Sequence, residues 1–475
     1  MNIESAIKKY TNPRTAKLLQ KFREFFPEEH EVYIAHAPGR VNLIGEHIDY
    51  NGFGVMPMSV DKEIEFCFVP SNDSTVTVYD AVKCGEKIFQ ISGDIDPYEM
   101  GDWGNYIKAP CQALFKWAEE RYEDKIPLKG FKAVMIGDIP PAAGLSSSSA
   151  IVVCAGVIVS FVNRLRIDKS EFADLMARGE QYVGTMGGGM DQTASVFGHS
   201  KGPIRIMFKP IRVNQIIMPQ GYSFIIANSL RKAKKSGEAR YNFNNRSITC
   251  KFGLAILKNL IKNEYPDAVL SPSLRRLQKL IGWDNMPKFF NQIPTGGMKL
   301  AEISNLSDIS IDDLREKYLR LGEFEYLPTP PEGFKIHDRL LHVFNEAKRV
   351  SDTKNAMLSN DMDTVAKLMD ESHVSCRDLY EISTPEVEKL ISCLKSAGTL
   401  GSRITGAGWG GCTVSLVRSE DADRIINEVW QSYYLDYAKD AKDLSPVPES
   451  KDKSTVIFSC IPAEGAGVRE HKYKN

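Results

Sequence analysis

The sequence predicts an α+β protein of two domains, and three observations carry that expectation. The chain has 475 residues, enough for two or three domains. Its 43% apolar and 25% charged content is that of a globular protein. Strand-like runs gather in the first part and the second half is helix-rich, so both kinds of element are expected.

Bulk properties exclude several classes. A net charge of −1 implies no nucleic-acid partner, and the basic run Arg231–Lys235 is short enough to be a solvated loop. The nine cysteines are an odd number, scattered and without a C-x-x-C pair, so reduced thiols in a cytoplasmic protein are expected, not disulfides or a zinc site. Met1–Ser5 lacks the order of a signal peptide. The longest apolar run, Ala150–Phe161, is too short to span a bilayer and is followed by Asn163 and Arg164. The expectation is a monomer that binds small molecules and no membrane.

In chain order, Leu18, Leu19, Phe22, Phe25 and Phe26 share one side of a helix over Pro13–Phe26, and a strand follows at Glu31–Ala37. Pro38–Gly52 reads as a loop dense in polar groups, with Arg40, Asn42, Glu46, His47, Asp49 and Asn51. Strand signals return at Gly54–Val60, Ile64–Val69 and Thr75–Tyr79, then a helix from about Asn105 to Tyr122. A buried strand at Gly130–Ile136 and a helix from Ala150 flank the stretch Gly137–Ser149. A helix at Lys169–Val183 leads to a glycine triplet just before Asp191. Strands at Ile204–Phe208 and Tyr222–Asn228 bracket an expected domain crossover at Pro210–Pro219. Helices are predicted at about Glu238–Lys262, Leu274–Ile281, Ile311–Leu321, His337–Leu358, Thr364–Leu379 and Pro385–Ala397. The proline-rich segment Tyr265–Pro331 has weak periodicity and reads as a surface elaboration. The chain closes with the glycine-rich run Gly401–Val417, a helix, a charged loop over Lys439–Lys453 and a strand at Thr455–Ile461.

The stretch Gly137–Ala150 carries the chemistry. Four serines, Ser146–Ser149, sit at a helix start, where unpaired backbone N–H groups and the helix dipole favour an anion. Gly144 lets backbone approach a ligand, so a phosphate chain suits the site best. An N-cap with surplus serines is the bland alternative. Gly406–Gly411 formally fits G-x-G-x-x-G, but a strand, Thr413–Val417, follows it where a dinucleotide site needs a helix. A tight glycine hairpin near a ligand or near the serine loop is the better reading. No Walker lysine motif occurs, and Arg377-Asp-Leu379 lacks the rest of a protein-kinase catalytic loop.

Three stretches, in order and across most of the chain, agree with one family. Pro38–Gly52 resembles the galactokinase signature. Gly144-Leu-Ser-Ser-Ser-Ser-Ala150 resembles the ATP loop of the wider family of galactokinase, homoserine kinase, mevalonate kinase and phosphomevalonate kinase, and Gly406–Cys412 its third glycine motif. Glu46–Tyr50, Ser149, Gly187–Gln192 and Ser372–Tyr380 look most like the N-acetylgalactosamine kinase branch. The resemblance implies an N-terminal domain of mixed sheet and helices over residues 1–210 and a ferredoxin-like C-terminal domain over 211–475, elaborated around 265–331. ATP, Mg²⁺ and a sugar would meet in the cleft between them. The implied reaction is phosphorylation of N-acetylgalactosamine at its anomeric hydroxyl, with galactose as the alternative substrate.

The same resemblance assigns roles. Asp191 matches the catalytic carboxylate, and Arg40 the arginine that keeps it ionised and stabilises the transferring phosphoryl group. Glu46, His47, Asp49 and the backbone of Gly188 resemble sugar ligands, with Phe243 standing where many galactokinases carry a sugar-binding tyrosine. That change keeps a stacking face and loses a hydroxyl, which points away from galactose unless Tyr241 takes the place through a shifted register. Gly144, Leu145, Ser146, Ser147, Ser148 and Ser149 would cradle the phosphates, and Lys235 matches a nucleotide-side lysine. Ser148 and Glu180 align with metal ligands, although Glu180 also fits a solvated helix face. Trp103 stacks on adenine or fills the core. Two rivals remain. A non-catalytic sugar sensor would lack residues of the serine loop that are intact here, and a mevalonate-type kinase would not need the Glu46–Asp49 cluster.

Overall fold

The computed structural model of the protein describes all residues except 83–84, 123–125, 141–142, 185–186, 232–237, 322–324, 442 and 470–475. Its first sheet holds six strands in the order β12-β1-β2-β5-β3-β4. These are β1 (Tyr33–Ile44), β2 (Met56–Pro70), β3 (Thr75–Asp80), β4 (Glu86–Gln90), β5 (Phe131–Gly137) and β12 (Gly467–Val468). All neighbours are antiparallel except β3 and β5, so the sheet is mixed. Side chains alternate between its faces. Ile34, Cys67, Val134 and Ile136 join Leu18, Leu19 and Phe22 of the Pro13–Phe25 helix in a small core. Their chain neighbours Ala35, Phe66, Phe68, Ala133 and Met135 face the main core.

Above that main-core face lies the helix Ser147–Val162, packed on β1 and β2 and against the helices Asn105–Glu119, Lys169–Glu180 and Met190–Phe197. Neighbours on every side explain why Ser149–Val159 are all buried and the sequence there shows no polar face.

A two-stranded ribbon, β6 (Ile204–Met207) and β7 (Arg212–Gln215), precedes the second sheet and straddles residue 210. That sheet comprises β8 (Tyr222–Asn228), β9 (Gly401–Ile404), β10 (Cys412–Arg418) and β11 (Ile457–Cys460), all antiparallel, in the order β11-β8-β10-β9. With a helix between β10 and β11 and the helical insertion between β8 and β9, this is the ferredoxin-like order. One face packs Ile225, Ala227, Val417 and Ile457 under the helices Pro385–Ser396 and Ala422–Val429. The other, with Phe224, Ile226, Val414 and Leu416, belongs to the main core shared with the first sheet. The fold is thus a two-domain α+β fold in which one core runs under both domains.

Several local expectations change. The strand expected to end at Ala37 runs on to Ile44, taking up half of the expected loop. Arg40–Ile44 pairs with Ser59–Met56 across register irregularities at Pro38/Arg40 and Asn42/Ile44. Val41 and Leu43 thereby enter the core while Arg40 faces the site. The separate strands expected over 54–60 and 64–69 are one continuous β2. β4, whose exposure alternates at the sheet edge, and β12 were not expected. β12 is too short to show a pattern, and it returns the end of the chain to β1, pairing Ala35 with Val468. The helix expected over 311–321 is α-helical only for Ile311–Leu314, with wider turns over Arg315–Leu319.

Candidate active site

Three elements meet at Asp191. The carboxylate sits in the first turn of the helix Met190–Phe197, whose N-cap, Gly189, has φ +94°, a conformation that glycine adopts without strain. Arg40, from the irregular part of β1, donates to Asp191 Oδ1 from Nε at 2.9 Å and from Nη2 at 2.7 Å, while its Nη1 donates to the Gly144 carbonyl at 2.6 Å. Ser146 Oγ donates to the other oxygen, Oδ2, at 2.6 Å. Arg40 is almost wholly buried, whereas the Asp191 side chain keeps 22% exposure and so stays open to a ligand. A desolvated cation on one oxygen and a hydroxyl on the other hold the carboxylate in one orientation.

Ser146 is the N-cap of the helix Ser147–Val162, yet its side chain makes no cap hydrogen bond. Its hydroxyl goes to Asp191 instead. The four serines divide by task. Ser146 and Ser149 are buried and engaged with Asp191 and Glu180, and Ser147 and Ser148 are half-buried. The Gly406–Gly411 run is a hairpin loop between β9 and β10, as its spacing suggested, and it lies against the serine loop. Cys412 N donates to the Ala143 carbonyl at 2.9 Å. A Cβ on Gly144 would stand 2.9 Å from the Thr405 carbonyl, and one on Gly406 would stand 2.6 Å from that of Gly144. Backbone meets backbone here, and no side chain fits between.

The segment Gly45–Asn51 forms the second wall. Glu46 is buried; its Oε1 accepts from Gly406 N at 2.9 Å and from Arg403 Nη1 at 3.5 Å. Burial raises the Glu46 carboxyl above the usual range despite Arg403 and Arg40. His47 is buried with both ring nitrogens occupied: Nε2 donates to the Ala407 carbonyl at 3.0 Å, so Nδ1 accepts from Tyr50 OH at 3.0 Å, and Tyr50 in turn accepts from Tyr380 OH at 2.7 Å. Burial, opposed by the Ala407 hydrogen bond, pushes the imidazole down to about 3. Asp49 is half-buried and accepts from Gly188 N at 3.1 Å. Burial and then the Asp191 charge push its carboxyl up to about 6. Phe243 closes this wall, its ring 5.5 Å from His47 and 5.8 Å from Tyr50. Tyr241, two residues earlier on the same helix, points elsewhere and donates to the Pro328 carbonyl at 3.3 Å. No hydroxyl from it replaces the one missing at Phe243.

Glu180 is buried, not on a solvated face. Its Oε2 accepts from Ser149 Oγ at 2.7 Å and from Gln192 Nε2. Among the described residues no group of three or more His, Cys, Asp or Glu side chains is arranged to hold a metal. Ser148 and Glu180 would offer only oxygen donors, with Glu180 Oε2 engaged by Ser149 and Gln192. Such donors suit Mg²⁺, which keeps waters and takes its other ligands from phosphates. Trp103 is half-buried against the main core, with Lys87 Nζ 5.7 Å from its ring centroid. Lys235 lies outside the described residues.

Sequence reasoning found Arg40 and Asp191 but missed their link to Ser146, and it missed Arg403, Thr405, His342 and Glu346. Arg403 is fully buried and donates to the Asn42 carbonyl at 3.0 Å, and Thr405 Oγ1 accepts from Asn42 N at 2.9 Å. The signal available was an arginine in the short run Gly401–Ile404 just before the glycine hairpin, which alone names no partner.

A helix start suited to phosphates, beside an oriented carboxylate–guanidinium pair and a polar segment, is an arrangement that suits phosphoryl transfer, and the chain matches the GHMP class of kinases. Residues 105–199 match the GHMP kinases N terminal domain, 353–435 the GHMP kinases C terminal and 20–69 the galactokinase galactose-binding signature. Galactokinase of Saccharomyces cerevisiae is 32% identical, over 87% of this chain and 88% of its own. Galactokinase of Dictyostelium discoideum is 29% identical, over 98% and 95%. Lactococcus lactis galactokinase complexed with galactose shares the fold, with a TM-score of 0.69 over 94% of this chain and 97% of that one, at 24% identity. The chain belongs to the galactokinase family and is an ATP-dependent sugar kinase. No helix among the described residues is long and apolar enough to cross a membrane.

Proposed function

We propose that this protein transfers the γ-phosphoryl group of ATP to the anomeric C1 hydroxyl of galactose. The observation that carries the reading is the doubly held Asp191 carboxylate beside the serine helix. In this reading the sugar hydroxyl lies against Asp191, which orients it and accepts its proton as the new O–P bond forms. The bond from the γ-phosphorus to the β-bridging oxygen breaks, and ADP leaves. Arg40 faces the same point and offsets the charge that spreads over the transferring group. The amides and hydroxyls of Ser147–Ser149, with Gly144 and Leu145, hold the phosphates. Ser148 and Glu180 hold Mg²⁺, which when bound neutralises phosphate charge. Asp49, Gly188, Glu46, His47 and Phe243 form the sugar wall. Asp49 is the member best able to accept from a sugar hydroxyl, because it is half-buried whereas Glu46 and His47 are buried against the hairpin.

The branch motifs led us to expect N-acetylgalactosamine, with galactose second. The relatives named above are galactokinases, which favours galactose. Reduced thiols suit the cytoplasm, and the eight cysteines among the described residues are all free and buried. The test is an ADP-release assay with purified protein, ATP, Mg²⁺ and either sugar, followed by phosphorus NMR of the product. Turnover of galactose to the 1-phosphate is expected. Preference for N-acetylgalactosamine would restore the first expectation, and turnover of neither would remove the sugar 1-kinase reading.

A further inference from the structure

The motif Ser372-His-Val-Ser375 plays no part in the chemistry above. Its serines, three residues apart, share a face of the helix Met362–Asp378 and reach the neighbouring helix Ile336–Leu358. Ser372 Oγ donates to Glu346 Oε1 at 2.7 Å, and Ser375 Oγ lies 2.8 Å from His342 Nδ1. His342 and Glu346 are four residues apart on one helix face, fully buried, and both grip the backbone of the sugar wall. Glu346 Oε1 accepts from Gly45 N at 2.8 Å and from Glu46 N at 3.3 Å. His342 Nε2 donates to the Glu46 carbonyl at 3.0 Å, which leaves Nδ1 to accept from Ser375.

We infer that His342 and Glu346, braced by Ser375 and Ser372, are positioning residues that set sugar affinity by clamping the Gly45–Glu46 backbone. They touch neither the reacting atoms nor the serine loop. The residues that follow the clamped pair are His47 and Asp49, so the clamp fixes where the sugar wall stands relative to Asp191. Four features argue for a dedicated device over ordinary packing. Three backbone groups of two consecutive residues are held by one helix, and the contacts span about 300 residues of sequence. Glu346 is also kept charged: burial raises its carboxyl, but Arg349 and Arg403 more than offset this and hold it at about 2. A charged acceptor binds two amides more strongly than a neutral one. Finally, the serines complete the set, so each acceptor and donor of the clamp facing Gly45 and Glu46 is oriented from behind.

The inference rests on residues 45–49 forming the sugar wall, and the test separates the two ideas. Steady-state kinetics of His342→Ala should show a sugar KM raised ~10-fold, with ATP KM and kcat within about twofold of the parent. Ser375→Ala should raise the sugar KM less, about threefold. His342→Gln, whose amide nitrogen stands near the place of Nε2, should recover most of the loss. Hydrogen exchange gives a readout independent of activity: Glu346→Ala should speed exchange at Gly45 and Glu46 while the amides of Ser147–Ala150 keep their protection. Equal losses in kcat and both KM values, failure of His342→Gln to rescue, or exchange accelerated throughout the chain would overturn the clamp. If His342→Ala does not fold, Ser375→Ala and the exchange of Gly45 and Glu46 decide. If the unaltered protein turns over neither sugar, the sugar reading fails and the exchange result alone judges the clamp.

Discussion

At Asp191 the two carboxylate oxygens have different partners, Arg40 on one and Ser146 on the other, and the residue-scale predictions follow from that division. Asp191→Asn keeps the shape and loses the acceptor for the sugar proton. It should lower kcat by roughly 10²–10⁴-fold while sugar binding, read by calorimetry, persists. Ser146→Ala removes one hydrogen bond to a charged group and should lower kcat about tenfold, with ATP KM less affected. A larger rise in ATP KM than fall in kcat would mean that Ser146 serves the phosphates and not Asp191. Asp49 adds a pH effect. Its carboxyl is pushed up to about 6 by burial and Asp191, so it gains a proton as pH falls below that value. A protonated Asp49 accepts less well from a sugar hydroxyl, and sugar KM should rise between pH 7 and 5. In Asp49→Asn the KM should be high and flat over the same range.

At the scale of elements, the serine helix and the glycine hairpin act as one unit because their backbones touch. Gly144 has φ +77° and meets the Thr405 carbonyl. Gly144→Ala therefore carries a left-handed backbone penalty of about 1–2 kcal/mol plus a clash that only backbone movement relieves. The expected outcome is a melting temperature lower by several degrees and a raised ATP KM, seen by calorimetry and kinetics. An unchanged melting temperature would mean that the two loops are not packed as described. The hairpin also reaches Glu46 through Gly406 N and His47 through the Ala407 carbonyl, so one loop touches both the serine loop and the Gly45–Asn51 segment.

Across the whole molecule, buried titratable groups join the two domains. His47 and His342 are held at about 3 and about 4, both through burial, against an ordinary value of 6.5. A histidine depressed in the fold is neutral there while the unfolded chain takes up a proton. The contribution of these two is therefore complete above pH 6.5 and is lost as pH falls toward 4. Glu346, held at about 2 against 4.5, acts in the same direction lower down, its stabilisation present above 4.5 and lost toward 2. Asp49, raised to about 6, and Glu46, also raised by burial, work oppositely and offset part of this. Net stability should drop by a few kcal/mol between pH 7 and 4. The melting temperature of His342→Gln, with one of those histidines gone, should fall less steeply over that range than that of the parent.

The sequence by itself determined where the local signals stand. It named the serines at a helix start, the carboxylate after a glycine triplet, the embedded Arg40 and the glycine hairpin, because those signals are local in the chain. It also placed most strands and helices, because their periodicities are local too. It misread Arg40–Ile44 as loop, since polar residues in a strand with register irregularities imitate a loop until the pairing with β2 is known. Only the tertiary structure decided that Ser146 serves Asp191, that Glu46 and His47 have partners in the hairpin, and that Glu346 and His342 hold Gly45 and Glu46. Each is a hydrogen bond between residues 45 to 360 positions apart. Spacing and composition carry no information about which distant donor will meet which acceptor, because that is settled by how the two sheets and the inserted helices pack around one shared core.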